Sequence, residues 1–136
     1  MGVASNCVDC QGINRITVPN RYLLLLMQEL QDRIQGALFF TKIDLKNGYH
    51  LVRMKVCEEW KTAFRTCCGL YKFLVIPFGL TNTSATFQDK MNHIFHDMID
   101  LSLLIYIDDL LINAKTEEEH DRMVKEVLQR LQANGW

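Results

Sequence analysis

Two adjacent aspartates, Asp108 and Asp109, stand inside a largely apolar run over residues 101–112. A buried carboxylate without a partner costs on the order of several kcal/mol or is protonated through a shift of its pKa. A β-hairpin avoids this cost, because Asp suits tight turns, where its side chain bonds nearby backbone. We therefore predict apolar strands on either side of an acidic turn, with two negative charges at the tip that suit a hard divalent cation.

A third aspartate, Asp44, ends a second β-forming segment. Residues 38–44 are rich in aromatic and branched side chains, which fit a pleated surface, and Asn47-Gly48 predicts a turn directly afterwards. If this strand lies beside the hairpin, Asp44 and Asp108 converge at the edge of one sheet. Mg²⁺ takes oxygen ligands, and a pair of such ions clamps the attacking and leaving oxygens of a phosphoryl displacement. Spacing alone leaves a plainer interpretation open, in which the acids only form solvated turns.

Composition and charge restrict the class of protein. The chain has 136 residues, long enough for one domain or a piece of one, and its 49% hydrophobic and 23% charged residues fit a soluble globular protein. Its formal net charge of −1 gives no overall basic field of the kind that indicates nucleic-acid binding. No secretion signal is evident, and the apolar run Leu23–Met27 is too short to span a bilayer. Five cysteines, an odd number, fit a reducing compartment.

The apolar pattern predicts an α+β fold. Helices are predicted over residues 22–34, from a cap at 82–84 to about 99, and from a capping box at 116–119 to 135. Strands are predicted over residues 6–9, 38–44, 51–56, 61–66 and 70–76 and in the acidic hairpin, with turns over 11–14 and 67–69. Because strands and helices do not alternate strictly, we expect helices packed on one face of a largely antiparallel sheet.

Four separated motifs resemble those of one enzyme family. They are FTKIDLKNGYH at residues 40–50, WKTAFRT at 60–66, IPFGLTN with ATFQ within 76–88, and YIDD at 106–109. In their order and spacing they resemble the reverse transcriptase, an RNA-dependent DNA polymerase, of gypsy-type long-terminal-repeat retrotransposons and their retroviral relatives. The resemblance implies the fingers and palm of a right-hand polymerase, as a partial domain over 1–136 without the N-terminal fingers strand, the thumb and RNase H.

The resemblance also implies a role for individual residues. Asp44, Asp108 and Asp109 would be catalytic and would hold two Mg²⁺ ions, with Mn²⁺ as an alternative. The reaction would be attack of a primer 3′-hydroxyl on the α-phosphate of an incoming deoxynucleotide, templated by RNA or DNA. The deoxynucleotide would be bound by Lys46, Asn47, Gly48, Tyr49 and Phe78, with Tyr49 as the gate against a ribose 2′-hydroxyl. Nucleic acid would be contacted by Lys61, Arg65, Gln88 and Tyr106, although Lys61 and Arg65 equally fit exposed charges without a ligand.

The implied partners are an RNA or DNA template–primer, deoxynucleoside triphosphates and the remainder of a Pol polyprotein associated with DNA integration. The implied setting is the cytoplasm, a virus-like particle or the nucleus, without secretion or a membrane. Arginines usual in the family are replaced by Ser5 and Gln11, and Cys67-Cys68 replaces a basic–aromatic pair. These departures favour an alternative, a catalytically inactive retroelement remnant that acts, if at all, as a binding domain. A metal-dependent phosphatase or nuclease with His50 as its base is a third, weaker hypothesis.

Overall fold

The computed structural model describes residues 8–20, 32–46, 48–99 and 101–136. The chain divides into two compact units, a first unit of Met1–Asn20 with Tyr49–Thr83 and a second unit of Arg21–Gly48 with Ser84–Trp136. In chain order the elements are α1 (Gln11–Ile16), β1 (Phe39–Asp44), β2 (Phe64–Thr66), β3 (Gly69–Tyr71), α2 (Thr83–Phe95), β4 (Leu103–Tyr106), β5 (Asp109–Ala114) and α3 (Glu117–Ala133), with short 3₁₀ helices at Gly48–Leu51 and Glu59–Thr62.

Two predicted elements lie partly outside the described residues. Of the strand predicted over 6–9, Val8 and Asp9 are described and do not form a strand. Of the helix predicted over 22–34, only 32–34 are described, and Asp32 and Arg33 are helical. Gly36, which follows that predicted helix, has a φ of +80°, a conformation that glycine adopts without steric cost. None of the helices in the described ranges is long and apolar enough to cross a membrane.

The second unit is built on a three-stranded antiparallel sheet in the order β1-β5-β4. The predicted acidic hairpin is confirmed: β4 pairs with β5, and Tyr106 opposes Asp109 across a turn made by Ile107 and Asp108. Burial alternates along β1, whereas the central strand β5 is mostly buried. The alternation along β1 follows from side chains pointing to the two faces of a sheet in turn, whereas β5 is shielded because it lies between β1 and β4.

Helices cover one face of this sheet, as predicted. Helix α3 packs against β5 and β1, and its His120 ring lies 6.2 Å from the ring of Phe39. The core between helices and sheet contains the fully buried side chains Phe87, Met91, Phe95, Leu103, Leu110, Ile112 and Val127. The side chains of Phe40, Lys42 and Asp44 alternate with Phe39 along β1 and are exposed. The fold of this unit is therefore α+β, and the second face of the sheet is exposed along β1 but buried at Leu104 and Asn113.

The predicted cap of α3 is confirmed. Thr116 precedes the helix in an extended conformation, and its hydroxyl oxygen accepts a hydrogen bond from the Glu119 N–H at 3.3 Å. This bond satisfies one of the amide groups that a helix leaves unpaired at its start. Gly135 follows the helix with a φ of +81°, which agrees with its predicted role as a stop.

The first unit contains the predicted β2–β3 hairpin with shorter strands. Each strand has three residues, joined by a turn at Cys67 and Cys68. The prediction of a strand over 61–66 was wrong at its start, because Lys61 lies in the 3₁₀ helix Glu59–Thr62. The buried Thr62 hydroxyl explains this, since it donates to the Glu59 carbonyl at 2.7 Å and accepts from the Phe73 N–H at 3.0 Å. Lys61 and Arg65 therefore do not share one face of a strand.

Two further predictions in the first unit are corrected. Residues 51–56 do not form a strand, because Arg53 makes only an isolated bridge with Val75. The segment predicted as a turn over 11–14 belongs to helix α1. An Asp9 carboxylate oxygen accepts from the Gln11 N–H at 2.9 Å, so a side chain outside the helix satisfies one of its first amides. The Asn14 side chain connects α1 to a distant segment of the same unit, because its amide donates to the Gly79 carbonyl at 2.7 Å.

Candidate active site

The sheet register brings Asp44 and Asp109 side by side. Asp44 at the end of β1 is the direct partner of Asp109 at the start of β5. The Leu45 N–H donates to the Asp108 carbonyl at 2.9 Å, which ties the end of β1 to the hairpin turn. Directly opposed residues present their side chains on the same face, with Cβ atoms about 4.5–5.5 Å apart. The backbone thus collects the predicted acids at one end of the sheet.

The carboxylates do not form a closed cage. Within the described ranges, no group of three or more His, Cys, Asp and Glu side chains is arranged to hold a metal ion. The predicted convergence is therefore present in the backbone register but not as a three-carboxylate cluster. The donors nevertheless fit Mg²⁺, because they are hard oxygens and this ion commonly takes one or two carboxylates with waters and substrate phosphates.

Lys42 contacts one of the acids directly. Its Nζ lies 2.9 Å from Asp109 Oδ2. The bonded carboxylate of Asp109 raises the pKa of Lys42, and the charges of Asp44 and Asp108 add to this effect. Lys42 was not among the predicted site residues, although its spacing of two residues from Asp44 in a strand signals a shared face.

The hairpin turn is strained and braced from α2. Ile107 has a φ of +57°, which is a genuine outlier for a β-branched residue. Its N–H donates to Gln88 Oε1 at 2.8 Å, while Gln88 Nε2 donates to the Ile105 carbonyl at 3.3 Å and to Asn92 Oδ1 at 3.0 Å. Gln88 is only 5% exposed. Within the chain, this residue holds the turn that carries Asp108, and its predicted contact with nucleic acid stays a prediction.

The segment after Asp44 packs against the rings of Phe87 and Trp136 at Gly48. Of the predicted nucleotide-binding residues here, Lys46 is exposed and Gly48 is buried, while Asn47 lies outside the described residues. A Cβ at Gly48 would lie 2.8 Å from the Phe87 ring and 3.2 Å from the Trp136 ring. A glycine is therefore required by packing against the protein itself.

Tyr49 and Phe78, the other predicted nucleotide-binding residues, contact each other within the first unit. Their ring centroids are 5.2 Å apart at 68°, and the His50 ring meets Phe78 edge-on at 5.0 Å. Such T-shaped pairs are a favoured aromatic geometry. Tyr49 is half-buried, whereas Phe78 is 55% exposed, so the contact supports the tyrosine ring and leaves part of the phenylalanine open.

The predicted nucleic-acid-binding residues differ in their surroundings. Lys61 Nζ pairs with Glu58 at 2.8 Å, so this charge is already partly compensated. Arg65 is exposed on β2. Tyr106, at the end of β4 and directly opposite Asp109, is 40% exposed. Tyr106 therefore lies beside the acidic end of the sheet.

The sequence is similar to reverse transcriptases and to transposon polyproteins. The family model described as "Reverse transcriptase (RNA-dependent DNA polymerase)" matches residues 1–136. The Transposon Tf2-3 polyprotein of Schizosaccharomyces pombe is 41% identical over 130 residues, which cover 96% of this chain, and the Tf2-7 polyprotein of the same yeast is 40% identical over 130 residues. The chain spans about 10% of the length of these relatives.

Solved structures show the same fold. The foamy viral protease-reverse transcriptase dRH in complex with double-stranded DNA has a TM-score of 0.81 at 20% identity, covering 93% of this chain and 22% of that one. The foamy viral protease-reverse transcriptase in complex with an RNA/DNA hybrid has a TM-score of 0.74 at 20% identity, covering 91% and 17%. The architecture is that of reverse transcriptase fingers and palm. The chain therefore belongs to the reverse transcriptase (RNA-dependent DNA polymerase) family.

Proposed function

We propose that this chain carries the nucleotidyl-transfer centre of a retrotransposon polymerase that synthesises DNA on an RNA or DNA template. The observation that carries the proposal is the register that pairs Asp44 with Asp109 beside the turn containing Asp108. Carboxylates collected at one end of a sheet can hold divalent cations, and such cations would neutralise the charge that develops during phosphoryl transfer. The family match over the whole chain supports the same reaction.

Different parts of the chain position the three acids. Asp44, Asp108 and Asp109 would hold two divalent ions, Mg²⁺ or Mn²⁺, which supply charge stabilisation at the attacking and leaving oxygens when bound. Strand β1 positions Asp44, and Gln88 fixes the turn of Asp108 through the Ile107 N–H at 2.8 Å. Because such chemistry depends mainly on positioning, a rigid turn is the protein's own contribution.

The remaining residues would bind substrates. We assign Lys46, Asn47 and Gly48 to the triphosphate and Tyr49 to the gate against a 2′-hydroxyl, with Phe78 supporting its ring at 5.2 Å. Template and primer would be contacted by Arg65, Tyr106 and Lys61, the last after release from Glu58. The foamy viral relatives bound to an RNA/DNA hybrid and to double-stranded DNA support such partners, and the polyprotein relatives support attachment to further Pol segments.

One observation favours the alternative of an inactive remnant. The Lys42 ammonium sits 2.9 Å from Asp109, on a carboxylate that a catalytic cation needs. If this ion pair persists in the presence of divalent cations, the centre is blocked. Catalysis and blockage predict opposite results in the same assay.

The test is primer extension by a chimera in which this chain replaces the corresponding 130 residues of the Tf2-3 polyprotein. We expect Mg²⁺-dependent deoxynucleotide incorporation on a primed RNA template, lost in Asp108→Asn and retained in Asp121→Asn, a matched change at an exposed residue of α3. A folded chimera without incorporation, or an active Asp108→Asn variant, would overturn the proposal.

If the chimera does not fold, a second measurement tests the cation site in the chain itself. Binding of Mn²⁺ to the 136-residue chain, followed by the electron paramagnetic resonance signal of the free ion, should be weakened by Asp44→Asn and by Asp109→Asn. Equal binding by the wild type and both variants would show that the cation is held elsewhere.

A further inference from the structure

Cys67 and Cys68 place two thiols together at the turn of the β2–β3 hairpin. Their Sγ atoms are 3.6 Å apart, and both residues are exposed. The pair belongs to the first unit, and none of the roles proposed above uses it. Two accessible thiols at this separation could both bond to one thiophilic atom.

The fold of the turn creates this arrangement. Neighbouring residues of a strand point to opposite faces of a sheet, which would separate the two thiols. Here Thr66 pairs with Gly69, so both cysteines are turn residues. The Cys68 N–H donates to the Thr66 hydroxyl oxygen at 3.1 Å, and Gly69 has a φ of +141°. The hydrogen bond from Cys68 to Thr66 thus holds the turn, in which the two thiols lie close together.

The spacing disfavours a disulfide. Adjacent Cα atoms across a trans peptide are about 3.80 Å apart, whereas disulfides usually join Cα atoms roughly 4.4–6.8 Å apart. A single thiophilic atom bonded to both sulfurs avoids this difficulty. Structural zinc is a poor candidate because it takes four ligands, and the described part of the chain offers no group of three or more His, Cys, Asp and Glu side chains.

We propose that Cys67 and Cys68 form a binding site for trivalent arsenicals of the R–As=O class. Trivalent arsenic takes two thiolates in a bent arrangement, and it keeps its R group as the third substituent. Two As–S bonds form, the As=O bond breaks, and the two thiol protons leave with that oxygen as one water. Arsenic stays trivalent throughout, so the step consumes neither oxidant nor reductant.

The experiment uses phenylarsine oxide and intact-mass measurement on the full chain. Cys7 and Cys10 have a spacing that also suits a dithiol, so the parent variant carries serine at Cys7, Cys10 and Cys57 and keeps only the adjacent pair. We expect one adduct, heavier by the reagent minus one water, which persists in glutathione and is removed by dithiothreitol. Its loss in glutathione should be roughly 10²-fold slower than from the same parent with Cys68→Ser, because the second bond forms intramolecularly.

The matched control is the reverse variant, with serine at Cys67 and Cys68 and the other cysteines kept. Equal rates of adduct loss from the parent and its Cys68→Ser derivative would overturn the proposal. If the parent variant does not fold, peptide mapping of the adduct on the wild-type chain decides the matter. Absence of label from the peptide that contains Cys67 and Cys68 would then contradict the assignment.

Discussion

At the scale of single residues, the acidic end of the sheet carries an electrostatic cost. Like charges at directly opposed positions destabilise an antiparallel pair, and Asp44 opposes Asp109. Lys42 offsets part of this repulsion, but the side chains of Lys42 and Asp109 are 60% and 39% exposed. Exposed ion pairs are weak because water screens them. The Asp109 carboxylate therefore remains available to a competing cation.

Removing the Lys42 charge should strengthen binding of divalent cations. We expect Lys42→Met to bind Mn²⁺ about two- to fivefold more tightly than the wild type, the factor that an exposed ion pair supplies. Titration of the free-ion resonance signal measures this affinity. Lys115→Met is the matched control, since Lys115 follows the opposite end of β5. Unchanged or weaker binding in Lys42→Met would show that the lysine does not compete for the site.

Gly48 offers a second test at this scale. Gly48→Ala should lower the free energy of unfolding by about 1–3 kcal/mol, because the new Cβ meets the Phe87 ring at 2.8 Å and the core is overpacked. Urea unfolding measures the change. Gly12→Ala is the control, since no atom lies within 4 Å of a Cβ there, and it should stabilise by about 0.4–1 kcal/mol. A loss of equal size in both variants would contradict the packing argument.

At the scale of helices and strands, elements with their own periodicity and turn residues were predictable from the sequence. Strand β1, the acidic hairpin and α3 fall close to their predicted positions for this reason. The predicted strand over 51–56 did not form, because strand length depends on partners distant in the chain, and Arg53 finds only one bridge. The bracing role of Gln88 and the ion pair of Lys42 were likewise not predicted. Their roles depend on contacts that exist only after helix α2 and the strands have packed.

The brace between α2 and the acidic hairpin should be energetically important. Gln88→Leu keeps the side-chain size but leaves the Ile107 N–H without its acceptor, so we expect a loss of about 1–3 kcal/mol in the free energy of unfolding. Hydrogen exchange of the Ile107 amide should accelerate at the same time. Gln129→Ala, at an exposed position of α3, should change stability by less than about 0.5 kcal/mol. Unaltered exchange at Ile107 would refute the brace.

The end of α2 is joined to α3 by a pH-sensitive ion pair. The Arg130 guanidinium donates to the Asp97 carboxylate and to the Ile94 carbonyl. Bonding to Arg130 lowers the pKa of Asp97 from 3.8 to about 2. Since the folded-state pKa lies below the ordinary value, this stabilisation is present above about pH 4 and is lost as the pH falls through about 2.

Asp97→Asn should therefore remove part of the acid sensitivity of folding. We expect the urea midpoint of the wild type to fall more between pH 4 and pH 2 than that of the variant. Arg130→Met should reduce the pH dependence in the same way, because it removes the group that lowers the pKa of Asp97. An identical pH dependence in the wild type and Asp97→Asn would exclude a contribution from this pair.

At the scale of the whole molecule, the paired acids connect global stability to the cation. A ligand that binds only the folded chain adds RT ln(1 + [L]/Kd) to the free energy of unfolding. Without a cation, the same acids repel each other across β1 and β5. The residues that serve the proposed reaction should thus lower stability when the site is empty and raise it when cations bind. A remnant without a cation site would show only the first effect.

For Asp44→Asn, we expect the stability difference between the variant and the wild type to change sign when Mn²⁺ is added. In the absence of divalent cations the variant should be more stable than the wild type by about 0.2–1 kcal/mol, because an opposed like charge is removed. With Mn²⁺ at ten times its Kd, the wild type should gain about 1.4 kcal/mol and the variant much less, so the order reverses. Thermal unfolding with and without Mn²⁺ measures both effects, and Asp121→Asn should show neither. An equal gain in the wild type and Asp44→Asn would mean that the cation does not bind at the acidic end of the sheet.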